Sequence, residues 1–198
     1  VFYIIQNLQN EQIKFSENSL KMIQTADKLR QSSDDLTHFA RTYVVTNDIK
    51  FKKQFLDTLA IRNGELERPY KYEYIYWDLS PSVRNKNHPL QEKISLKELM
   101  AKLPYTKEEQ DLLLLSEKNS NDLVNLEMEA FNAMDGVFKD SNGTYTIKSK
   151  PDQALAIKLL HSKEYYDAKE RIMIPINEFM LNLDKRTLQQ SNLLNDSI

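Results

Sequence analysis

Side chains able to do chemistry are densest between residues 62 and 78. Arg62, Arg68 and Asp78 bracket or end a stretch, residues 70–77, that holds Tyr70, Tyr72, Tyr74, Tyr76 and the chain's single tryptophan, Trp77. Tyrosine and tryptophan join apolar area to a hydrogen-bonding tip, which suits ligand pockets and interfaces. A guanidinium from Arg62 or Arg68 can pair with a carboxylate, and the Asp78 carboxylate can hold an amine. The candidate ligand-binding set is therefore Arg62, Tyr72, Tyr76, Trp77 and Asp78. The same residues admit an architectural reading. In it the tyrosines plug one side of a bundle where a loop crosses it, and Asp78 caps a helix or pairs with an arginine.

A second group lies at Arg41 and Tyr43, with Asn132 from a later helix. Arg41 is flanked by apolar positions, and a buried arginine needs a partner. The expected partner is a side chain such as Asp34, Asp35 or Glu129; the alternative is a bound anion, which makes Arg41, Tyr43 and Asn132 the second candidate site. Asn119 falls on the apolar seam of its helix, where an amide fixes register or lines a cavity.

Much other chemistry is excluded. The three histidines, His38, His88 and His161, have no glutamate three residues earlier and form no His-x-x-His pair, so neither a di-iron nor a zinc site is expected. Glycines at 64, 136 and 143 only cannot build a phosphate loop. Asp140-Ser141-Asn142-Gly143 starts like a calcium loop but lacks the later ligands. There is no cysteine, hence no disulfide or thiolate site. No motif proposes a nucleophile and base, so the chain is read as a non-enzyme without metal or cofactor. A net charge of −2 without a basic aromatic patch argues against nucleic acid, and no run of ~18 apolar residues spans a membrane.

The elements that must position these residues are helices. A heptad stripe runs through Val1, Ile5, Leu8, Gln12, Phe15, Ser19, Met22, Ala26, Leu29, Ser33, Leu36, Ala40 and Tyr43, alternating large and small from Phe15 on. It predicts a first helix to Thr46, ~67 Å long at the usual rise. Asp48 is a cap for a second helix over 49–63, and Gly64 is its stop. Residues 64–94 read as irregular, with Pro69, Pro81 and Pro89. Ser95–Glu98 and Thr106–Glu109 are capping boxes, the first opening a short helix to Leu103. The second opens a long helix with Leu112, Ser116, Asn119, Leu123, Leu126, Ala130, Ala133 and Val137 inward. A short helix is expected over 152–161. The last starts at Lys163 and runs towards Ile198, with Tyr165, Ile172, Ile176, Phe179 and Leu183 inward and a kink at Pro175 unless neighbours compensate. No period-2 strand is expected; Thr144-Tyr145-Thr146-Ile147 is the only β-like stretch, and it is short. The fold class is all-α: an elongated four-helix-bundle-like body over 1–198, with long first and last helices, short helices in the connections and both ends at one pole. On that topology Arg62 lies roughly 20 Å below Arg41, in a separate site.

Several segments carry a resemblance in sequence order. They are Ser32-Ser33-Asp34-Asp35-Leu36, Ala40-Arg41-Thr42-Tyr43-Val44-Val45-Thr46-Asn47-Asp48, Ile61-Arg62-Asn63-Gly64 with Arg68-Pro69, and Ile75-Tyr76-Trp77-Asp78. Ser95–Met100, Ser120–Val124, Glu129–Ala133 and Ile172–Ile176 add to them. Together they resemble the extracytoplasmic all-helical sensor regions of bacterial transmembrane receptors, which sit between two membrane helices of histidine kinases, diguanylate cyclases and chemoreceptors. The likeness covers about residues 32–187. It implies a periplasmic signal-sensing domain, most of all of a two-component histidine kinase, in a longer inner-membrane protein whose flanking transmembrane helices lie outside this sequence. It further implies a homodimer, and as signal an unidentified small molecule or a periplasmic binding protein. The rival reading is a cytoplasmic helical interaction bundle that binds protein partners without a small ligand.

Overall fold

The computed structural model describes residues 2–195 and is all-α. Its helices are α1 (Phe2–Thr46), α2 (Ile49–Arg62), α3 (Pro81–Asn87), α4 (Leu96–Ala101), α5 (Lys107–Met134), α6 (Gln153–Leu160) and α7 (Lys163–Asn195). Helix boundaries follow capping chemistry. Asp48 accepts from the Lys50 amide, and both capping boxes close in both directions at Ser95–Glu98 and Thr106–Glu109. Asn63 and then Gly64, at φ +76°, end α2. Gly64 is required there for a second reason: a Cβ would lie 2.7 Å from the Ser95 nitrogen, so the end of α2 can touch the start of α4 only through a bare backbone.

Three long helices form the frame. As residue number rises along α7, its partners fall along α1. Tyr165 meets Thr37, Lys169 meets Ser33 and Asp34, and Arg186 meets Met22. The two helices are therefore antiparallel, and the start of α1 and the end of α7 share one pole, as the topology predicts. Helix α5 also runs against α7, with Glu127 at Tyr165, Ser116 at Ile172 and Glu109 at Arg186. The fourth place in the bundle is filled in pieces: α2 beside the upper half of α1, then the aromatic loop and α4 below it.

The heptad stripe is the core of α1 from Ser19 to Tyr43, every member being at most 5 % exposed. Below it, Ile5, Leu8, Gln12 and Phe15 are only half-covered, and Val1 lies outside the described residues. Met22 and Leu29 are buried within the chain's own bundle, so they are not the self-association seam the stripe first suggests. On α7 the whole predicted stripe is buried. Proline at 175 removes the amide that would bond the Arg171 carbonyl. Asn119 Nδ2 donates to that carbonyl at 2.9 Å, and Ser116 Oγ donates to the Ile172 carbonyl at 2.8 Å. Asn119 thus supplies the donor that Pro175 takes away, Ser116 adds a second bond from α5 one residue on, and α7 continues as one helix through the proline.

Three expectations need correction. Residues 64–94 are not wholly irregular, because Ser80-Pro81 starts α3; proline at N1 is pre-set for a helix start. A two-stranded hairpin, β1 (Val137–Lys139) with β2 (Tyr145–Lys148), follows α5. Asp140-Ser141-Asn142-Gly143 is its turn. The Asp140 carboxylate accepts from the Asn142 and Thr144 amides and the Thr146 hydroxyl, and these donors hold its pKa below the usual carboxylate range. On α5 the buried face is Glu109, Leu113, Ser116, Ser120, Leu123, Glu127, Ala130, Phe131, Ala133 and Met134, of which Ser116, Leu123, Ala130 and Ala133 were expected inward. Leu112, Asn119 and Leu126 flank it. Asn119 is not in the seam; it bridges to α7.

Candidate functional site

The aromatic stretch is a folded loop packed on α1 and α2. Pro69 pairs with Leu90; the Arg68 and Tyr70 amides donate to the Glu92 and Pro89 carbonyls, and the Gln91 amide donates to the Arg68 carbonyl. The loop closes on itself through Tyr74 donating to the Lys71 carbonyl, with Lys71 at φ +48°. Rings interlock edge to face: Tyr72 on Tyr76 at 5.0 Å, Tyr76 on Trp77 at 5.0 Å, and Trp77 on Phe39 of α1 at 5.5 Å. The Trp77 indole N–H donates to the Tyr72 hydroxyl at 2.9 Å. Gln31 of α1 donates to the Tyr72 carbonyl, and Lys28 of α1 sits 3.8 Å from Glu73.

Two spaces lie on opposite sides of this ring cluster. The outer one is a cleft of about 860 Å³ between α2 and the loop leading to α3, within the size range of small-molecule sites. Tyr76, Trp77, Asp78 and Arg84 line one wall, and Lys53, Gln54, Asp57 and Ile61 of α2 line the other. Arg84 lies over both the Tyr76 and Trp77 rings, at 5.2 and 5.1 Å. Burial raises the pKa of Tyr76, which keeps its phenol a donor. The cleft therefore offers aromatic faces, an arginine, lysines and three carboxylates, Asp57, Glu67 and Asp78.

The inner space is a tightly packed crevice between α1, α2 and the loop, too small for a water molecule, lined by Lys28, Ser32, Thr58, Arg62, Arg68 and Tyr72 among others. Arg62 is 2 % exposed. Its Nη1 donates to Ser120 at 2.7 Å and its Nη2 to Asn121 at 2.8 Å, while Nε has no acceptor. Arg68 Nε is also buried without an acceptor. Desolvation lowers the pKa of both guanidiniums, as it must for cations buried without a hydrogen-bonded carboxylate.

The first candidate set is thus divided: Tyr76, Trp77 and Asp78 face the outer cleft, Arg62 and Tyr72 the inner crevice, and the Trp77–Tyr72 hydrogen bond joins the two sides. The second set is not gathered. Arg41 donates to the Leu160 carbonyl at 2.8 Å and is held between the Tyr165 and Tyr166 rings, at 4.6 and 4.5 Å. The expected carboxylate partner is replaced by a backbone carbonyl and two rings; Asp34 pairs with Arg30 and Lys169, and Glu129 with Lys139. Tyr43 is buried edge-on against Phe131, and Asn132 is half-buried on α5. Arg62 shares its crevice with Gln31 and Ser32, about ten residues or ~15 Å of helix below Arg41.

Lys28, Thr58, Arg84, Ser120 and Glu127 were not among the candidates. Lys28, Gln31 and Ser32 have helical spacing beside the heptad stripe, and Thr58 and Arg62 are four apart, so two polar faces were there to be matched. Among the described residues no cluster of His, Cys, Asp or Glu could hold a metal, and no helix is long and apolar enough to cross a membrane. Comparison with known proteins finds no match to a family model, a curated protein or a solved structure.

Proposed function

We propose that this chain is the extracytoplasmic signal-sensing domain of a bacterial transmembrane receptor, of the sensor histidine kinase type. The observation that carries the reading is the antiparallel pairing of α1 and α7, which brings the start of α1 and the end of α7 to one pole. Arg186 of α7 binds Glu109 of α5 and lies over the Phe15 ring of α1. A small displacement of either long helix at the level of the aromatic loop is therefore felt near both ends, as a piston or rotation of ~1–2 Å would require. The outer cleft is the place for a small molecule, and the α3 side of the loop is the place for a binding protein that carries one. In this reading the domain itself is not an enzyme; the output module lies elsewhere in the receptor.

A second reading, a helical bundle that binds protein partners, is favoured by one observation. Ile13 and Leu20 of α1 and Leu181 and Leu188 of α7 are all more than half exposed. Those residues equally suit a homodimer of the receptor.

These 198 residues contain no cysteine, so once any cysteine elsewhere in the full-length protein is replaced by serine, one introduced thiol gives a clean test. A single cysteine at Asn142, in the exposed hairpin turn, is introduced into the full-length protein in its own host. A membrane-impermeant maleimide should label it in intact spheroplasts. Labelling only after lysis overturns the reading and favours the cytoplasmic bundle.

A further inference from the structure

We propose that the outer cleft between α2 and the loop leading to α3 binds a short peptide with free ends and apolar side chains. The cleft measures about 860 Å³, and its charges are balanced: Lys50, Lys53 and Arg84 against Asp57, Glu67 and Asp78. A purely anionic ligand meets three carboxylates there and a purely cationic one meets three cations, so the ligand that fits carries both signs. Within this set only Lys53 and Asp57 are paired, at 2.6 Å. Among the described residues, the side chains of Arg84 and Asp78 make no hydrogen bond and no ion pair. The Arg84 guanidinium is laid over the Tyr76 and Trp77 rings instead. Stacking engages the face of a guanidinium and leaves its in-plane N–H fork open, which is the geometry that takes a carboxylate. Asp78, which the sequence offers to an amine, lies in the same cleft. Arg84 thus takes the carboxylate-binding role that the sequence gives to Arg62.

Length separates a peptide from a free amino acid. Lys50 and Ile61 are eleven residues apart on the α2 wall, ~16 Å of helix. An extended chain covers that distance in about five residues at ~3.3 Å each. A free amino acid holds both charges on one carbon and leaves most of the cleft unfilled. Ile61, Leu66, Leu79 and Leu90 give the wall apolar area for aliphatic side chains. Gln54, in the middle of the α2 wall, is 7 % exposed, and its amide oxygen has no donor; a peptide N–H supplies one. The assignment rests on the receptor reading, in which the cleft is the ligand site, but its test is separate. Labelling of Asn142→Cys only after lysis removes the receptor and leaves peptide binding as found, whereas failure to bind peptide leaves the receptor standing.

The probe is the tetrapeptide Ala-Leu-Leu-Ala, titrated into the 198-residue chain at constant ionic strength and about pH 6.5, where both of its ends are charged. Trp77 fluorescence and isothermal calorimetry should report the same saturable midpoint. Acetylating the amine or amidating the carboxylate should each raise that midpoint at least tenfold. Arg84→Met should weaken the free peptide at least tenfold and abolish the effect of amidation. Asp78→Asn should do the same for acetylation. Lys118→Met, on the exposed side of α5, should leave the midpoint in place. Absence of a saturable signal in both measurements overturns the site. Tighter binding of free leucine than of the tetrapeptide assigns the cleft to single amino acids and overturns the peptide. A doubly blocked peptide that binds as well as the free one overturns recognition of the ends.

Discussion

Replacing Glu127 by glutamine should remove most of the protein's pH-dependent stability between pH 6 and pH 8. Glu127 lies in the middle of α5 and is 1 % exposed. One oxygen accepts from the Tyr165 hydroxyl at 2.6 Å. Burial is the dominant influence and pushes its pKa from 4.5 to about 7; the Tyr165 hydrogen bond and the charges of Arg62, Lys169 and Arg41 pull it back only in part. The folded state therefore holds a proton that the unfolded state has released. Stability is highest below the unfolded value and falls as pH rises through the folded value. At one pH unit below the folded pKa, protonation still contributes ~1.4 kcal/mol relative to the ionised form, and this is nearly gone at pH 8. Asp35, pushed up to about 6 by burial and by Asp34 and Asp78, adds the same sign but only a few tenths of a kcal/mol above pH 6.

Urea unfolding followed by circular dichroism at both pH values measures this. The parent should lose roughly 1.5–2 kcal/mol from pH 6 to pH 8, and Glu127→Gln less than about 0.5 kcal/mol. An unchanged slope in Glu127→Gln refutes the argument and places the carboxyl in contact with water. Tyr165→Phe removes a hydrogen bond that favours the ionised form, so its loss of stability should extend to higher pH.

Asn119→Ala leaves the Arg171 carbonyl without a donor and should cost about 1–2 kcal/mol; adding Pro175→Ala restores the helical amide, so the double variant should recover part of that in urea titrations. Gly136→Ala places a Cβ 2.3 Å from the Ser149 carbonyl oxygen and should destabilise by several kcal/mol. Gly143→Ala, with nothing within 4 Å, should cost only the ~1 kcal/mol of its positive φ. Arg186→Met strands the buried Glu109 carboxylate and should cost about 3 kcal/mol near pH 7, measured as a lower urea midpoint.

What the sequence made legible was local. Asp48, Ser95 and Thr106 name helix starts because a capping side chain bonds an amide two or three residues away, and Gly64 names an end because αL is a single-residue property. The α1 and α7 stripes were legible because their buried positions are apolar or small. On α5 the buried face includes Ser120 and Glu127, which read as solvent positions, so the inferred stripe, right at Ser116, Leu123, Ala130 and Ala133, rotated towards Leu112, Asn119 and Leu126 elsewhere. The site was legible in type and not in arrangement. Sequence proximity placed Arg62, Tyr72, Tyr76, Trp77 and Asp78 together. The turn at Lys71 and the Trp77–Tyr72 hydrogen bond put them on two sides of one ring cluster. Lys28, which shares the crevice with Arg62 and Arg68, is more than thirty residues away from either, a pairing only the antiparallel packing of α1 and α2 creates.

The same packing gathers cations around Glu127. Arg62, from α2, attracts the Glu127 carboxylate, as do Lys169 of α7 and Arg41 of α1; Tyr165 of α7 holds it by hydrogen bond, with Thr37 of α1 beyond. Taking one of those cations away leaves the ionised carboxyl less favoured, so the proton on Glu127 is held to higher pH. In Lys169→Met the fall of stability with rising pH should therefore extend further above pH 7 than in the parent, measured as urea midpoints from pH 6 to pH 9. In the Glu127→Gln background the same substitution should leave the pH dependence as it is. A fall that ends at the same pH in Lys169→Met as in the parent shows that Lys169 is screened from Glu127, and the attraction then rests on Arg62 and Arg41.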